Sequence, residues 1–180
     1  MLSCIPEIST KVKSNIFFDI NGLIDEQIKL LDSINPSVFK KANIDGKEEV
    51  SEIKPTDSSE WSKELAIFKA IDLNRSILVD SYDIEKSSTN LNFTRYISRY
   101  PEDTEVDTLT IEFYSDQNPK RIKAYLEAHN ELFQSSKTLD MQFTGHNDIS
   151  IISAYRIEGW QKMISKDSIW FLIQGTILQP

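Results

Sequence analysis

The chain changes its hydrophobic periodicity near Arg75. Before that point apolar residues recur at three-and-four spacing, which indicates helices. After it they alternate with polar residues, which indicates strands with one buried face and one solvent face. The alternation is carried by Leu91, Phe93 and Ile97, by Leu109, Ile111 and Phe113, and by Ile122, Ala124 and Leu126. Turn residues separate these stretches, as in an antiparallel meander.

The extended part of the chain predicts a single large sheet. We expect strands at residues 78–86, 91–99, 106–114, 120–129, 132–143, 149–158 and 168–178. Residues 160–165 are expected to extend the sixth strand, with Gly159 at a bulge. A twisted sheet of this size with helices on one side tends to curl around them. The predicted fold class is therefore α+β: a curved, half-barrel-like meander of about seven strands with two N-terminal helices and a β-hairpin.

Two helices are predicted in the front half. The first begins with Asp19 as its N-cap and runs to Ser33, with one buried stripe. The second begins after Asp57, with Glu60 at capping-box spacing, and runs to about Asp72. The stripes consist of Ile20, Leu23, Ile24, Ile28 and Leu31 in the first helix, and of Trp61, Leu65, Phe68 and Ile71 in the second.

A hairpin is predicted between the two helices. Asp45-Gly46 lies between extended runs and favours a type I′ turn, because both central positions need positive φ. Lysines on the incoming strand face glutamates on the returning strand, which is mildly favourable. This polar hairpin is expected at an edge of the sheet or as a flap.

Composition limits the classes of partner. The chain has 180 residues and a net charge of −8, with acidic residues spread evenly along it. We expect residues 1–14 to be a flexible leader or tether and residues 15–180 to form one domain, present as a monomer. An acidic chain repels nucleic acid, and the one basic cluster, Lys120, Arg121 and Lys123, is expected to be a solvated surface.

The sequence contains no recognisable catalytic motif. No residue is predicted to be catalytic, to bind a cofactor or to bind a metal. A hydrolase would require His129 and His146 to meet beside carboxylates such as Glu131 or Asp148, and we expect them instead to point separately into solvent. Three tryptophans, Trp61, Trp160 and Trp170, are candidates to line a ligand pocket, and the alternative is that they are core and rim of the sheet.

The N-terminal residues suggest a lipidation site. Met1-Leu2-Ser3 has neither the basic region nor the apolar core of a signal peptide. Leu2-Ser3-Cys4 nevertheless has the form of the last residues of a bacterial lipoprotein signal. Cys4 is the single cysteine of the chain, and the alternative is that it is unmodified.

Several segments together resemble uncharacterised envelope lipoproteins of Bacteroidetes-type bacteria. They lie at residues 17–19, 34–36, 45–47, 61–65, 72–75, 80–82, 133–136, 139–143, 155–157 and 173–177. The resemblance implies a lipid-anchored protein in the periplasm or on the cell surface, with Cys4 as the modified residue. It implies no catalytic residues. A cytoplasmic location is the alternative.

Two classes of function remain. The leading hypothesis is a non-catalytic envelope binding or scaffolding module that holds an unknown protein or a small apolar ligand and contacts the membrane only through Cys4. A small acidic inhibitor or immunity-type protein is the alternative without catalysis, since its charge would steer it to a basic toxin. The enzyme alternative is the hydrolase that uses His129 and His146.

Overall fold

A computed structural model describes residues 16–87, 92–115, 118–146 and 149–178, with the backbone alone for Ser115 and His146. Two α-helices and nine strands make up most of it. The first elements in chain order are α1 (Ile20–Ile34), β1 (Ser37–Ile44), β2 (Lys47–Ile53) and α2 (Ser58–Leu65), followed by the 3₁₀ helices Ala66–Ile71 and Ser76–Leu78. The remaining strands are β3 (Tyr82–Ser87), β4 (Phe93–Ser98), β5 (Val106–Ser115), β6 (Asn118–His129), β7 (Phe133–His146), β8 (Ile149–Met163) and β9 (Ile169–Leu178).

The strands form one curved, open antiparallel sheet in the order β2-β1-β9-β8-β7-β6-β5-β4-β3. The seven strands β3 to β9 follow one another as neighbours, which confirms the predicted meander. The predicted count of about seven is too low for the whole sheet, because the hairpin β1–β2 joins it. β1 pairs with β9 from Ser37 opposite Leu178 to Ile44 opposite Phe171. β2 forms an edge, as its polar sequence predicted.

The helix α1 has the predicted cap and buried stripe. The Asp19 carboxylate accepts a hydrogen bond from the Gly22 amide at 2.9 Å. The helix ends where Asn35 adopts a left-handed conformation with φ 53° and its amide donates to the Leu31 carbonyl at 2.8 Å. Pro36 then prevents continuation. Ile20, Ile24, Ile28 and Leu31 are buried.

The second helical segment is shorter in α-helix than predicted. The Asp57 carboxylate caps it by accepting from the Glu60 amide at 2.9 Å. After Leu65 the backbone tightens into the 3₁₀ helix instead of continuing as α-helix to Asp72. A 3₁₀ helix has three residues per turn, so it places residues spaced by three on one side. Leu65, Phe68 and Ile71 have that spacing and are fully buried.

The hydrophobic core lies between the helices and one face of the sheet. In β6, for example, Ile122, Ala124 and Leu126 are buried, whereas Lys123 and Tyr125 between them are exposed. We call the face that packs on the helices the covered face and the opposite one the uncovered face. No helix in the described ranges packs on the uncovered face.

Two local predictions were wrong. Residues 78–81 do not begin a strand, because Ser76–Leu78 is a 3₁₀ helix and β3 starts at Tyr82. Gly159 is not a bulge, since it pairs in register with Lys137 and Phe171. The irregularity in β8 is near Ser153, where the register with β7 shifts between Gln142 and Phe143. The role of Gly159 is close approach: a Cβ there would overlap the Ser136 carbonyl and lie 3.0 Å from the Lys137 Cα.

Candidate functional site

The three tryptophans lie on different faces of the sheet. Trp61 belongs to α2, is fully buried and lies in the core against the covered face. Trp160 and Trp170 are register partners in β8 and β9, with side chains on the uncovered face. The structure therefore does not bring the three together in one pocket. Trp61 is a core residue, as the alternative interpretation of the sequence predicted. Trp160 and Trp170 form a pair at the surface.

Trp160 and Trp170 form an aromatic pair on the uncovered face. Their ring centroids are 6.2 Å apart and their planes are inclined at 47°. Trp170 keeps 60% of its surface exposed, which is unusual for so large an apolar residue. Aromatic side chains that stay accessible in this way are enriched where proteins bind their partners.

The hairpin turn fixes the position of Trp170. The Trp170 amide donates to the Asp45 carboxylate at 2.8 Å, and the Asp45 amide donates to the Trp170 carbonyl at 2.9 Å. Asp45 and Gly46 both have positive φ, 49° and 81°, as the type I′ turn predicted. The Asp-Gly turn thus does more than reverse the chain, because it also holds the backbone that carries an exposed indole.

A row of residues crosses the strands from the tryptophan pair to the loop before β5. Trp170 is opposite Trp160, Trp160 is opposite Ser136, and Ser136 is opposite Glu127. The Glu127 amide then donates to the Glu105 carbonyl at 3.0 Å. We call these five residues the cross-strand strip. With neighbouring strands about 4.8 Å apart, its four steps span roughly 19 Å.

In the middle of the cross-strand strip, the neighbouring Tyr125 of β6 joins Ser136 to Glu127 through hydrogen bonds. The Ser136 hydroxyl donates to the Tyr125 hydroxyl at 3.1 Å, and the Tyr125 hydroxyl donates to the Glu127 carboxylate. The hydrogen bond to Glu127 raises the pKa of Tyr125. Tyr125 therefore stays neutral at physiological pH and orients the carboxylate. The side chains along the strip therefore change from aromatic rings at Trp170 and Trp160, through hydroxyl groups, to carboxylates at Glu127 and Glu105.

The anionic end of the strip borders a cavity of about 280 Å³. The lining includes four acidic residues and one histidine, and it contains no lysine or arginine. The acidic residues are Glu102, Asp103, Glu105 and Glu127, and the histidine is His129. Nearby, burial raises the pKa of Asp107, and the charge of Glu127 raises it further. The cavity therefore presents negative charge that no lining cation neutralises. We call it the acidic cavity.

The two histidines lie at opposite ends of the sheet. His129 ends β6, is exposed, and has its Nδ1 3.3 Å from the Gln134 amide nitrogen. Gln134 is near the start of β7, and His146 ends that strand. At about 3.3 Å per residue, the two ends are separated by roughly 40 Å of strand. The geometry therefore does not bring them into one hydrolytic site.

A second polar cluster lies on the covered face. The Lys40 ammonium donates to the Glu64 carboxylate at 3.0 Å, and the Tyr155 hydroxyl donates to the same carboxylate. Burial, followed by the hydrogen bond to Glu64, raises the pKa of Tyr155, so the hydroxyl remains a donor. This cluster ties α2 to β1 and β8, and its place under the helix indicates a structural role.

The other residues singled out from the sequence add little to this surface. The Arg121 guanidinium of the basic cluster donates to the Asp140 carboxylate at 2.9 Å, so it is partly neutralised. Cys4 lies outside the described residues. Within them, no group of three or more histidine, cysteine or acidic side chains is arranged to hold a metal ion. No helix of the described chain has the length and hydrophobicity of a membrane span.

Comparisons with known proteins do not add a function. The chain matches no protein family, no curated protein and no solved structure.

Sequence reasoning missed four residues of this surface, namely Glu105, Tyr125, Glu127 and Ser136. Their alternation within the strands was visible, and it placed Tyr125 and Glu127 on the same polar face of β6. What was missing was the register, which places Ser136 beside Glu127 and Trp160. One residue of slip would have moved either tryptophan to the other face.

Proposed function

We propose that the protein is a non-catalytic binding module of the cell envelope, anchored by a lipid on Cys4, which holds a protein partner on its uncovered sheet face. The observation that carries the binding role is the pair Trp160–Trp170 at the end of the cross-strand strip, in which Trp170 is exposed and Trp160 is half-buried. The sequence resemblance to envelope lipoproteins supports the location.

The chemistry of the strip supports binding to a protein. Tryptophan, tyrosine and arginine dominate the binding energy of protein interfaces when they reach a desolvated position. Trp170 is exposed and its backbone is fixed by the hairpin turn, so little backbone conformational entropy is lost when a partner covers it. The surrounding hydroxyl and carboxylate groups provide the polar contacts that orient a partner.

The geometry also supports a role without catalysis. Of the two histidines that a hydrolase would use, His146 ends β7, whereas His129 ends β6 opposite Gln134, near the other end of β7. In the Lys40–Glu64–Tyr155 cluster, the buried Tyr155 and the half-buried Glu64 form hydrogen bonds that join α2 to the sheet.

The binding role is tested by comparing variants in a pull-down from an envelope fraction. The wild-type protein, Trp170→Ala and the matched control Val50→Ala are used as baits. Val50 is also an exposed apolar residue on the uncovered face, 55% accessible, but it lies in the edge strand β2. We expect a stoichiometric partner with the wild type and Val50→Ala, and its loss with Trp170→Ala. Equal recovery with all three baits would contradict the proposal.

The anchor is tested separately in cells that express the gene with its natural upstream region. Labelled palmitate is expected to enter the wild-type protein and not Cys4→Ser. Fractionation is expected to move the Cys4→Ser protein from the membrane to a soluble fraction. Equal labelling of the two proteins, or no labelling of either, would refute the lipid anchor and leave the binding role to be judged by the pull-down.

A further inference from the structure

We infer that the partner presents an extended basic segment, which lies along the cross-strand strip with a cationic side chain in the acidic cavity and an apolar or guanidinium group on Trp160 and Trp170. This inference rests on the proposed binding role and specifies the chemistry of the partner.

The first argument is charge complementarity at the acidic cavity. Glu102, Asp103, Glu105 and Glu127 line it, and no basic residue is part of the lining. Several other carboxylates on the uncovered face have a cation beside them, as in Arg121–Asp140, Arg156–Glu158 and Lys41–Glu48. An arginine or lysine from a partner would supply the missing opposite charge. The net charge of −8 would steer such a segment towards the protein.

The second argument is the connection between the two ends. The acidic cavity and the tryptophan pair are joined in one register row through Ser136. The face of an indole attracts a guanidinium or an ammonium group through its quadrupole, and it also packs against apolar groups. The same kind of segment can therefore satisfy both ends.

The third argument concerns length. The strip spans roughly 19 Å from Trp170 to Glu105, and an extended chain advances about 3.3 Å per residue. A segment that contacts both ends therefore needs about six residues. The hydroxyl groups of Ser136 and Tyr125 lie between the ends, where the backbone of an extended peptide would pass. One extended segment of that length would therefore contact both ends of the strip.

The test uses synthetic peptides and calorimetry. The main probe has two arginines at one end, a phenylalanine at the other, and a glycine-serine spacer that sets their separation at about six residues. A second probe replaces the arginines with glutamates, and a third has a spacer half as long. We expect saturable binding of the first probe, at least about tenfold weaker binding of the other two, and weakening with added salt.

Two charge-matched double variants show whether binding is local. Glu105→Gln/Glu127→Gln removes the carboxylates at the strip, and Glu49→Gln/Glu52→Gln removes two exposed carboxylates from β2. Both variants change the net charge by the same amount. We expect the first to weaken binding of the basic probe by about tenfold or more and the second to change it little. Equal effects of the two variants would mean general attraction to an acidic protein and would overturn the inference.

The remaining outcomes separate this inference from the proposed function. If Trp170→Ala loses the envelope partner but no basic probe binds, the binding role stands and the basic segment is wrong. If light scattering shows a dimer that Trp170→Ala abolishes, the occupant is a second copy of the chain and the inference is overturned. If the pull-down also fails to distinguish the variants, both proposals fail.

Discussion

Replacement of Gly175 by alanine is expected to be strongly destabilising, because the glycine makes room for a buried aromatic ring. A Cβ on Gly175 would lie inside 3.0 Å of Cζ, Cε1 and Oη of Tyr155. Ordinary carbon contacts are at about 3.5–4.0 Å, so the ring would have to move by more than about 0.5–1 Å. Tyr155 is 3% exposed and packs edge-on against Phe68 with centroids 5.9 Å apart. The ring has little space to move into.

The magnitude follows from two effects. Overpacking of a core costs about 1–3 kcal/mol. A ring shift of this size would also break the hydrogen bond from Tyr155 to the Glu64 carboxylate, and hydrogen bonds to charged groups contribute about 1.5–3 kcal/mol. We therefore expect Gly175→Ala to lower the free energy of unfolding by about 2.5–6 kcal/mol, a large part of the usual 5–15 kcal/mol.

The assay is urea denaturation followed by far-ultraviolet circular dichroism, applied to a double-mutant cycle. The variants are Gly175→Ala, Tyr155→Leu and the combination. Since leucine removes the atoms that clash, the combination is expected to cost less than the two single effects added, with a coupling of more than about 1 kcal/mol. A loss below about 1 kcal/mol in Gly175→Ala, or strict additivity, would refute the reasoning.

Three further predictions concern stability. Gly159→Ala is expected to lower the urea midpoint, because the added Cβ meets strand backbone that cannot rotate away. Asp19→Ala removes the acceptor of the Gly22 amide and is expected to cost about 1 kcal/mol in urea unfolding, with Asp19→Asn nearer the wild type. Burial raises the pKa of Asp107, so the folded state holds this proton more tightly than the unfolded state, and the ionised carboxylate lowers stability increasingly as pH rises above its ordinary value of 3.8. Asp107→Asn is therefore expected to raise the melting temperature at neutral pH and to change it little below pH 3.8, whereas an equal change at both pH values would contradict the assignment.

Much of the fold could be predicted because its signals are local. A period of two identifies a strand wherever one face is buried, and the sequence around Ile122 shows it despite good helix formers nearby. Asp45-Gly46 fixes a turn through the φ values that it tolerates. Asp19 and Asp57 mark the starts of the two helices, because each carboxylate accepts a hydrogen bond from an amide three residues later. Each of these depends on fewer than about ten consecutive residues, so no tertiary information was needed.

The candidate site could not be predicted because its parts meet through register and strand order. Trp170 lies in the continuous apolar run from Ile169 to Ile173, where no alternation shows which face a side chain takes. Its partner Trp160 lies beyond Gly159, which looked like a bulge that would have changed the face. Glu105 and Glu127 are adjacent only because β5 and β6 pair. The sequence of the hairpin likewise contains no signal that identifies β9 as its neighbour in the sheet.

The pairing of β1 with β9 has a consequence for the order in which the protein is made. Strands β3 to β9 each pair with the strand synthesised just before or after them, so most of the sheet can form as the chain emerges. The hairpin β1–β2 is made early, but its only neighbour in the sheet is the strand synthesised last among those described. During synthesis β1 therefore keeps an unpaired edge until β9 is made, and its two lysines, Lys40 and Lys41, keep that edge soluble.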